Sequence, residues 1–439
     1  MAVSDQVMRH LHRAQGGEEH HAATFLPEPE PRPRHYTIIS VDDHLIEPAH
    51  LFEGRVPREL AERAPKVATL EDGRETWVYE DSFYPQVGLN AVAGRPKAEW
   101  SMEPARFDEM RAGCYDIEAR VRDMDLDGVY ATLCFPSLIA GFAGTIFANS
   151  KDPELGLACL RAWNDWHADE WAGPHPDRVI PLQLTWLQDP EVAAADVRRN
   201  AERGFKAVSF PENPVDLKLP SMHTDHWDPF LRACQETQTV ICLHNGSSSW
   251  TAARSPGAPL ELYTSLFSVN AMVAAADWLW ARIPTRFPEI RIAFSEGGIG
   301  WVPMLIDRID YVLDHSAVGS QGWDDPNLSP TDAMRRNFWF CTIDIPSTMS
   351  LRDHIGIDHI CLESDYPHAD STWPDTQLRA IDGLRDFTPD EVRKVTWQNA
   401  SKLFRHPVPA ELQLPPAEHK GRPAQHKGKP AEHQGKVAS

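Results

Sequence analysis

The sequence predicts an α/β protein folded as a (β/α)8 barrel. Three observations carry that prediction: eight short β-branched or apolar runs, longer stretches of helical period between most of them, and a recurrent ionisable residue at the end of four of the runs. The runs are Thr37–Val41, Tyr130–Phe135, Val179–Leu184, Ala207–Phe210, Val240–Leu243, Ile290–Phe294, Phe338–Ile343 and Ile360–Leu362. Helical periodicity occupies Asp116–Leu126, Pro153–Trp171, Pro190–Arg203, Trp227–Thr237, Tyr263–Phe287, Gly300–Asp314 and Pro389–Phe404. Strand and helix alternating this often imply a parallel sheet, and eight strands imply closure.

Three segments fall outside that rhythm. Residues 1–34 are polar, rich in His and Glu, and end in alternating prolines, so they read as a disordered extension. From about residue 49 to 113 the pattern changes to a hairpin-like Glu75-Thr-Trp-Val-Tyr-Glu80 and a stretch broken by Gly and Pro, which reads as an insertion after strand one. An insertion at that end of a barrel roofs the mouth, so substrate selectivity is expected there. The barrel itself is assigned to residues 35–405. Residues 406–439 contain a seven-residue unit repeated between Pro416 and Lys436, where recurring Pro and the lack of an apolar seam exclude a coiled coil. This tail too is expected to be disordered.

Composition removes several classes of function. A formal charge of -21 argues against nucleic acid and against anionic membrane surfaces, both of which need a basic face. No apolar stretch is long enough to span a bilayer or to serve as a secretory signal. The seven Cys are scattered singly, several inside apolar runs, which fits free buried thiols in a cytoplasmic protein.

The ionisable run ends are the chemical signal. Asp42 and His44, two residues apart at the end of strand one, point to the same side. His244 ends the fifth run before Asn245-Gly-Ser-Ser-Ser249, Glu296 ends the sixth before Gly297-Gly298, and Asp365 ends the eighth within Glu363-Ser-Asp-Tyr-Pro-His368. Each has a plainer reading: a satisfied core histidine for His44, a turn cap for Asp42 or Asp365, a scaffold ion pair with Arg282 or Arg308 for Glu296. If the strands lie in one barrel, however, imidazoles and carboxylates converge where burial is costly without a cation, and one divalent ion satisfies them together.

Five segments, Ser40–Pro48, Arg106–Met110 leading to Met124–Gly128, Leu243–Ser247, Ser295–Trp301 and Glu363–His368, together resemble the amidohydrolase-related family. That branch of the metal-dependent hydrolase superfamily includes aminocarboxymuconate semialdehyde, resorcylate and carboxyvanillate decarboxylases. The resemblance spans about residues 36–404. It implies a distorted TIM barrel with one divalent ion, Zn or Mn, held by Asp42, His44, His244 and Asp365, and it points to a homodimer. At strand six the decarboxylases of this branch resemble one another in a catalytic His where this chain has Glu296, a carboxylate that would repel a substrate carboxylate.

The function expected is therefore metal-dependent hydrolysis or nonoxidative decarboxylation of a small organic substrate, aromatic or carboxylic. Asp365, Glu296 and His244 are the candidate catalytic groups, with Asp365 shuttling the proton. Arg106, Arg111, His368 and Trp301 are the candidate substrate contacts, the two arginines because a guanidinium offers a planar two-donor fork to a carboxylate. The alternatives are a carboxy-lyase only, a metal-binding barrel without turnover, and a scaffold whose Trp residues face partners.

Overall fold

Eight parallel strands surround a common axis in the computed structural model, which describes residues 23–414 except 72, 86, 101–103, 254, 256, 316–321, 324 and 344–345. In chain order the strands are β1 (Ile39–His44), β2 (Lys66–Thr69), β3 (Glu75–Tyr79), β4 (Ser82–Pro85), β5 (Ala131–Phe135), β6 (Leu182–Leu184), β7 (Ala207–Ser209), β8 (Val240–His244), β9 (Ile292–Ser295), β10 (Phe338–Thr342) and β11 (Ile360–Leu362). β6 to β11 pair in sequence order, and β1 pairs with β5. A parallel bridge from Thr132 to Val179 connects the two sheets on one side. On the other side β1 meets the end of β11, where the Asp365 N–H donates to the Asp42 carbonyl at 2.9 Å and the His44 N–H to the Tyr366 carbonyl at 2.7 Å.

The barrel interior is built from small apolar side chains. Ala131, Ala207, Ala293, Cys242, Cys341 and Cys361 pack with Val41, Leu133, Leu182 and Val240 in one buried cluster. All seven cysteines are free and buried, so the thiols act as small hydrophobes. No helix among the described residues is long and apolar enough to cross a membrane.

The insertion contains an antiparallel sheet ordered β2-β3-β4, one strand more than the expected hairpin. Its far end reaches the barrel mouth, where the N–H groups of Val92 and Ala93 both donate to the Pro367 carbonyl at 3.0 Å. The third predicted strand is shortened to Leu182–Leu184, because Pro181 lacks the amide that would continue the ladder. The long helix predicted over Tyr263–Phe287 is divided into Leu260–Ser265, Phe267–Trp280 and Ile283–Arg286, with Arg282 left-handed at φ 59° at the second break.

The extension expected over residues 1–34 enters the described residues at 23, and from there it is seated on the domain. The Leu26 N–H donates to the Gly94 carbonyl and the Arg32 N–H to the Leu126 carbonyl, each at 2.8 Å, and Arg32 pairs with Asp375 at 2.6 Å. A Pro-rich segment exposes its backbone groups, which makes it a ready strap for a neighbouring surface. Residues 406–414 are seated as well, with Thr37 Oγ1 donating to the Leu412 carbonyl at 2.5 Å. The repeats from Pro416 onwards lie outside the described residues.

Asp43 ties the seam between the first and last barrel strands. Its Oδ1 accepts from Ser40 Oγ at 3.0 Å, Ser364 Oγ at 2.6 Å and the Tyr366 N–H at 3.0 Å, and its Oδ2 accepts from Thr132 Oγ1. Burial pushes this carboxyl up, while the buried Arg120 guanidinium and these donors oppose that rise. Arg120 in turn donates to the His44 carbonyl and to the Gly113 carbonyl, the latter at 2.7 Å. Asp43→Ala leaves four donors without an acceptor, so unfolding in urea is expected to show a loss of roughly 3–5 kcal/mol. A loss below about 1 kcal/mol would mean that the seam holds without this carboxylate.

Candidate metal centre

Four strand ends supply the functional groups: Asp42 and His44 from β1, His244 from β8, Glu296 after β9 and Asp365 after β11. Glu296 and Asp365 are both left-handed, at φ 57° and 55°, a conformation that costs a non-glycine residue on the order of 1–3 kcal/mol and clusters at functional sites. Hydrogen bonds hold both turns. The Asp365 N–H is fixed by Asp42, and the Glu296 N–H donates to Glu363 Oε2 at 3.3 Å.

The side chains converge tightly. His44 Nε2 and His244 Nε2 are 3.1 Å apart. Asp42 Oδ1 lies 3.5 Å from His244 Nε2 and 3.8 Å from His44 Nε2, and Asp365 Oδ1 lies 3.4 Å from His44 Nε2. Glu296 Oε2 is 3.7 Å from His244 Nε2. His244 Nδ1 donates to the Asn245 carbonyl at 2.7 Å, which directs Nε2 at the cluster. The His368 ring stacks on His44 with centroids 3.9 Å apart, and its Nδ1 lies 3.0 Å from Asp365 Oδ1.

Burial makes charge costly throughout this cluster. Burial pushes Asp42, Asp365 and Glu363 up, and the neighbouring carboxylates push Asp365 and Glu363 further. Burial and the positive charges of its neighbouring imidazoles hold His44 well below its usual range. Burial would lower His244 as well, but Asp42 and then Glu296 bring it up to about 9. Neither oxygen of Asp42 or of Asp365 has a donor in hydrogen-bond geometry, although both residues are buried. Four orphaned oxygens beside two facing imidazole nitrogens are a donor set for one borderline divalent ion such as Zn or Mn. The residues present fit that ion.

The other predicted contacts separate into two groups. His368 lies in the cluster, beside His44 and Asp365. The forks of Arg106 and Arg111, expected as substrate contacts, are engaged by protein carboxylates. Arg106 pairs with Asp108 at 2.6 and 2.8 Å, while Arg111 pairs with Asp123 at 2.5 and 3.0 Å and with Glu28 at 2.9 Å, and it lies 4.6 Å over the Trp373 ring. Trp301 is buried against Phe294 and Phe340, with its indole N–H on the Gly297 carbonyl at 2.9 Å, so it packs the core beneath the β9 turn.

Several site residues lay outside the sequence reading. Phe135 and Phe142 place their rings 4.6 and 4.5 Å from that of His244 and form an apolar wall. Glu363 joins the acidic cluster from inside the same turn as Asp365, and Asp370 stands at its exposed edge. Glu212 is buried after β7, pushed up to about 8 by burial despite the nearby His244. An acidic residue three positions after a strand was the available signal for Glu212; nothing in the pattern marks Asp370.

A barrel with a buried imidazole and carboxylate cluster at the C-terminal ends of its strands defines a metal-dependent (β/α)8 enzyme class. The chain belongs to the amidohydrolase family, whose model matches residues 77–406. A curated relative, 2-amino-3-carboxymuconate-6-semialdehyde decarboxylase of Dictyostelium discoideum, is 21% identical over 315 residues, covering 69% of this chain and 80% of the relative. Among solved structures, an amidohydrolase of Mycobacterium avium subsp. paratuberculosis K-10 superposes with a TM-score of 0.65 at 21% identity, over 84% of this chain and 99% of that one. The 5-carboxyvanillate decarboxylase of Novosphingobium aromaticivorans, complexed with manganese and 4-hydroxy-3-methoxy-5-nitrobenzoic acid, superposes with a TM-score of 0.58 at 18% identity, over 87% of this chain and all of that one.

Elemental analysis of the purified protein is expected to find a tightly held divalent ion that His244→Ala loses and Arg106→Ala keeps. Equal metal content in wild type and His244→Ala would remove His244 from the ligand set.

Proposed function

We propose that this protein is a divalent-metal-dependent carboxy-lyase for a small aromatic or unsaturated carboxylic acid. The observation that carries the reading is the convergence of Asp42, His44, His244 and Asp365, whose nitrogen and oxygen atoms approach one another to 3.1–3.8 Å. A divalent ion held by those four residues would supply a fixed positive charge that orients and polarises a substrate oxygen. Two observations support the reading. Phe135 and Phe142 line the imidazole side of the cluster, and a planar ring packs well against such a wall. The curated relative and the manganese-containing structural neighbour are themselves decarboxylases.

Loss of carbon dioxide requires a proton to reach the carbon that bore the carboxylate. Asp365 is the residue to shuttle it, a buried carboxyl in the cluster itself, beside His44 and His368. His368 Nδ1 lies 3.0 Å from that carboxyl and offers a route for replenishing the proton. Glu296 assists from the mouth, where 16% of its side chain is exposed. Glu296 also favours a second reading, hydrolysis of a lactone or amide, because a carboxylate there repels a carboxylate substrate and can accept a proton from water instead. The cytoplasm is the compartment we assign, on the support of seven unpaired buried thiols.

A screen of hydroxybenzoates and unsaturated dicarboxylates for carbon dioxide release, run beside lactones and amides, tests the reading. Turnover of an acid is expected, with Asp365→Asn lowering kcat by roughly 10²–10⁴-fold. Activity confined to lactones or amides would transfer the assignment to hydrolysis.

A further inference from the structure

A chain of side chains joins the segment before β1 to the turn after β11 that carries Asp365. Its outer end is Glu28, whose two oxygens accept from Arg111 Nη1 and Nη2, each at 2.9 Å. The other face of the same guanidinium, Nε and Nη2, donates to the two oxygens of Asp123 at 3.0 and 2.5 Å. Asp123 Oδ2 also accepts from the Tyr366 hydroxyl at 2.5 Å, and Tyr366 directly follows Asp365. Every link has an ionised partner, which makes it about twice as strong as a neutral hydrogen bond. The Arg111 and Asp123 side chains are only 14% and 6% exposed, so salt screens the central pair little.

The surroundings are shaped to this chain. Gly113 lies over its inner joint, where a Cβ would collide with Asp123 Oδ2 and stand 2.9 Å from the Tyr366 hydroxyl, so only glycine lets the two groups meet. Trp373 closes the other side, with its indole N–H on the Asp123 carbonyl at 3.1 Å and its ring 4.6 Å from the Arg111 guanidinium. The segment before β1 grips both flanks. Its Leu26 N–H is on Gly94 of the insertion, and its Arg32 reaches the Pro374 carbonyl at 3.2 Å and Asp375 at 2.6 Å.

Asp365 needs such support because it is left-handed at φ 55°. Its own N–H is held by the Asp42 carbonyl, and the next residue is held by its N–H on Asp43 and by its hydroxyl on Asp123. With the hydroxyl released, residue 366 can turn and Asp365 can relax, which carries Oδ1 away from its place 3.4 Å from His44 Nε2. We infer that Tyr366, Asp123 and Arg111 are positioning residues for Asp365, and that Glu28 makes the segment before β1 part of the metal-site scaffold, resting on the metal-centre reading above for the role of Asp365.

Hydrogen exchange followed by mass spectrometry on metal-free, full-length protein tests the tie without any ion. The amides of Ser364, Asp365, Tyr366 and His368 are all hydrogen-bonded and report on the turn. Tyr366→Phe keeps the ring against Arg120, 4.3 Å away, and removes only the hydroxyl. Those amides are expected to exchange roughly tenfold faster in it, as for the loss of a hydrogen bond to a charged acceptor, with β8 unchanged. Glu28→Gln, outside the cluster, is expected to speed the same amides by about twofold. Manganese dialysis reads the consequence: the ion that His244→Ala loses is expected to bind roughly tenfold more weakly to Tyr366→Phe, a change that a purely structural tie would not produce. Unchanged exchange in Tyr366→Phe would overturn the chain, and faster exchange in that variant alone would remove the segment before β1 from it. Faster exchange with unchanged manganese affinity would overturn the positioning role. If wild type takes up no manganese, the metal-centre reading fails, and the exchange rates alone uphold or overturn the tie.

Discussion

The seam between β1 and β11 is the constraint from which the rest of the site follows. Asp42 and Asp365 stand more than three hundred residues apart in sequence, and they meet because Asp43, between Asp42 and His44, accepts hydrogen bonds from Ser40, Thr132, Ser364 and the Tyr366 amide. A buried carboxylate is costly to keep in an apolar interior, and here it is retained by four donors and a nearby guanidinium. The same three-residue stretch thus supplies a structural carboxylate facing the wall and two side chains facing the mouth. A register shift between Ser40 and Asp43 in the pairing with β5 accompanies that division of roles.

What the seam assembles is an electrostatic imbalance. Imidazole nitrogens approach to 3.1 Å with carboxylate oxygens around them, donor atoms that one divalent cation could take together. The left-handed backbone at Glu296 and Asp365 adds local strain at the same place. Preorganised groups in tension of this kind are the ordinary condition of a catalytic centre, and the phenylalanines beside it exclude water, which strengthens each charge interaction.

The periphery shows where pattern reasoning has less purchase. Arg106 and Arg111 carry the right chemistry for a carboxylate ligand, but Asp108, Asp123 and Glu28 reach their forks first. Glu28 comes from a Pro-rich segment whose composition signals disorder, yet it supplies one of the carboxylates that claim Arg111. Trp301 follows Glu296 closely in sequence and still points into the core, since its indole finds the Gly297 carbonyl.

The sequence by itself determined the strand and helix rhythm and the positions of Asp42, His44, His244, Glu296 and Asp365, because a run of apolar residues ending in one charged residue is a local pattern with a local cause. The family was legible in the same segments. Only the tertiary structure decided which charges are free to act. Asp43 could not be told from Asp42, nor Arg111 from a substrate anchor, until the chain had closed and shown which partners lie within hydrogen-bond reach. Asp370, Glu212 and the phenylalanine wall became visible at the same step, for proximity across a barrel mouth leaves no trace in the order of residues along a chain.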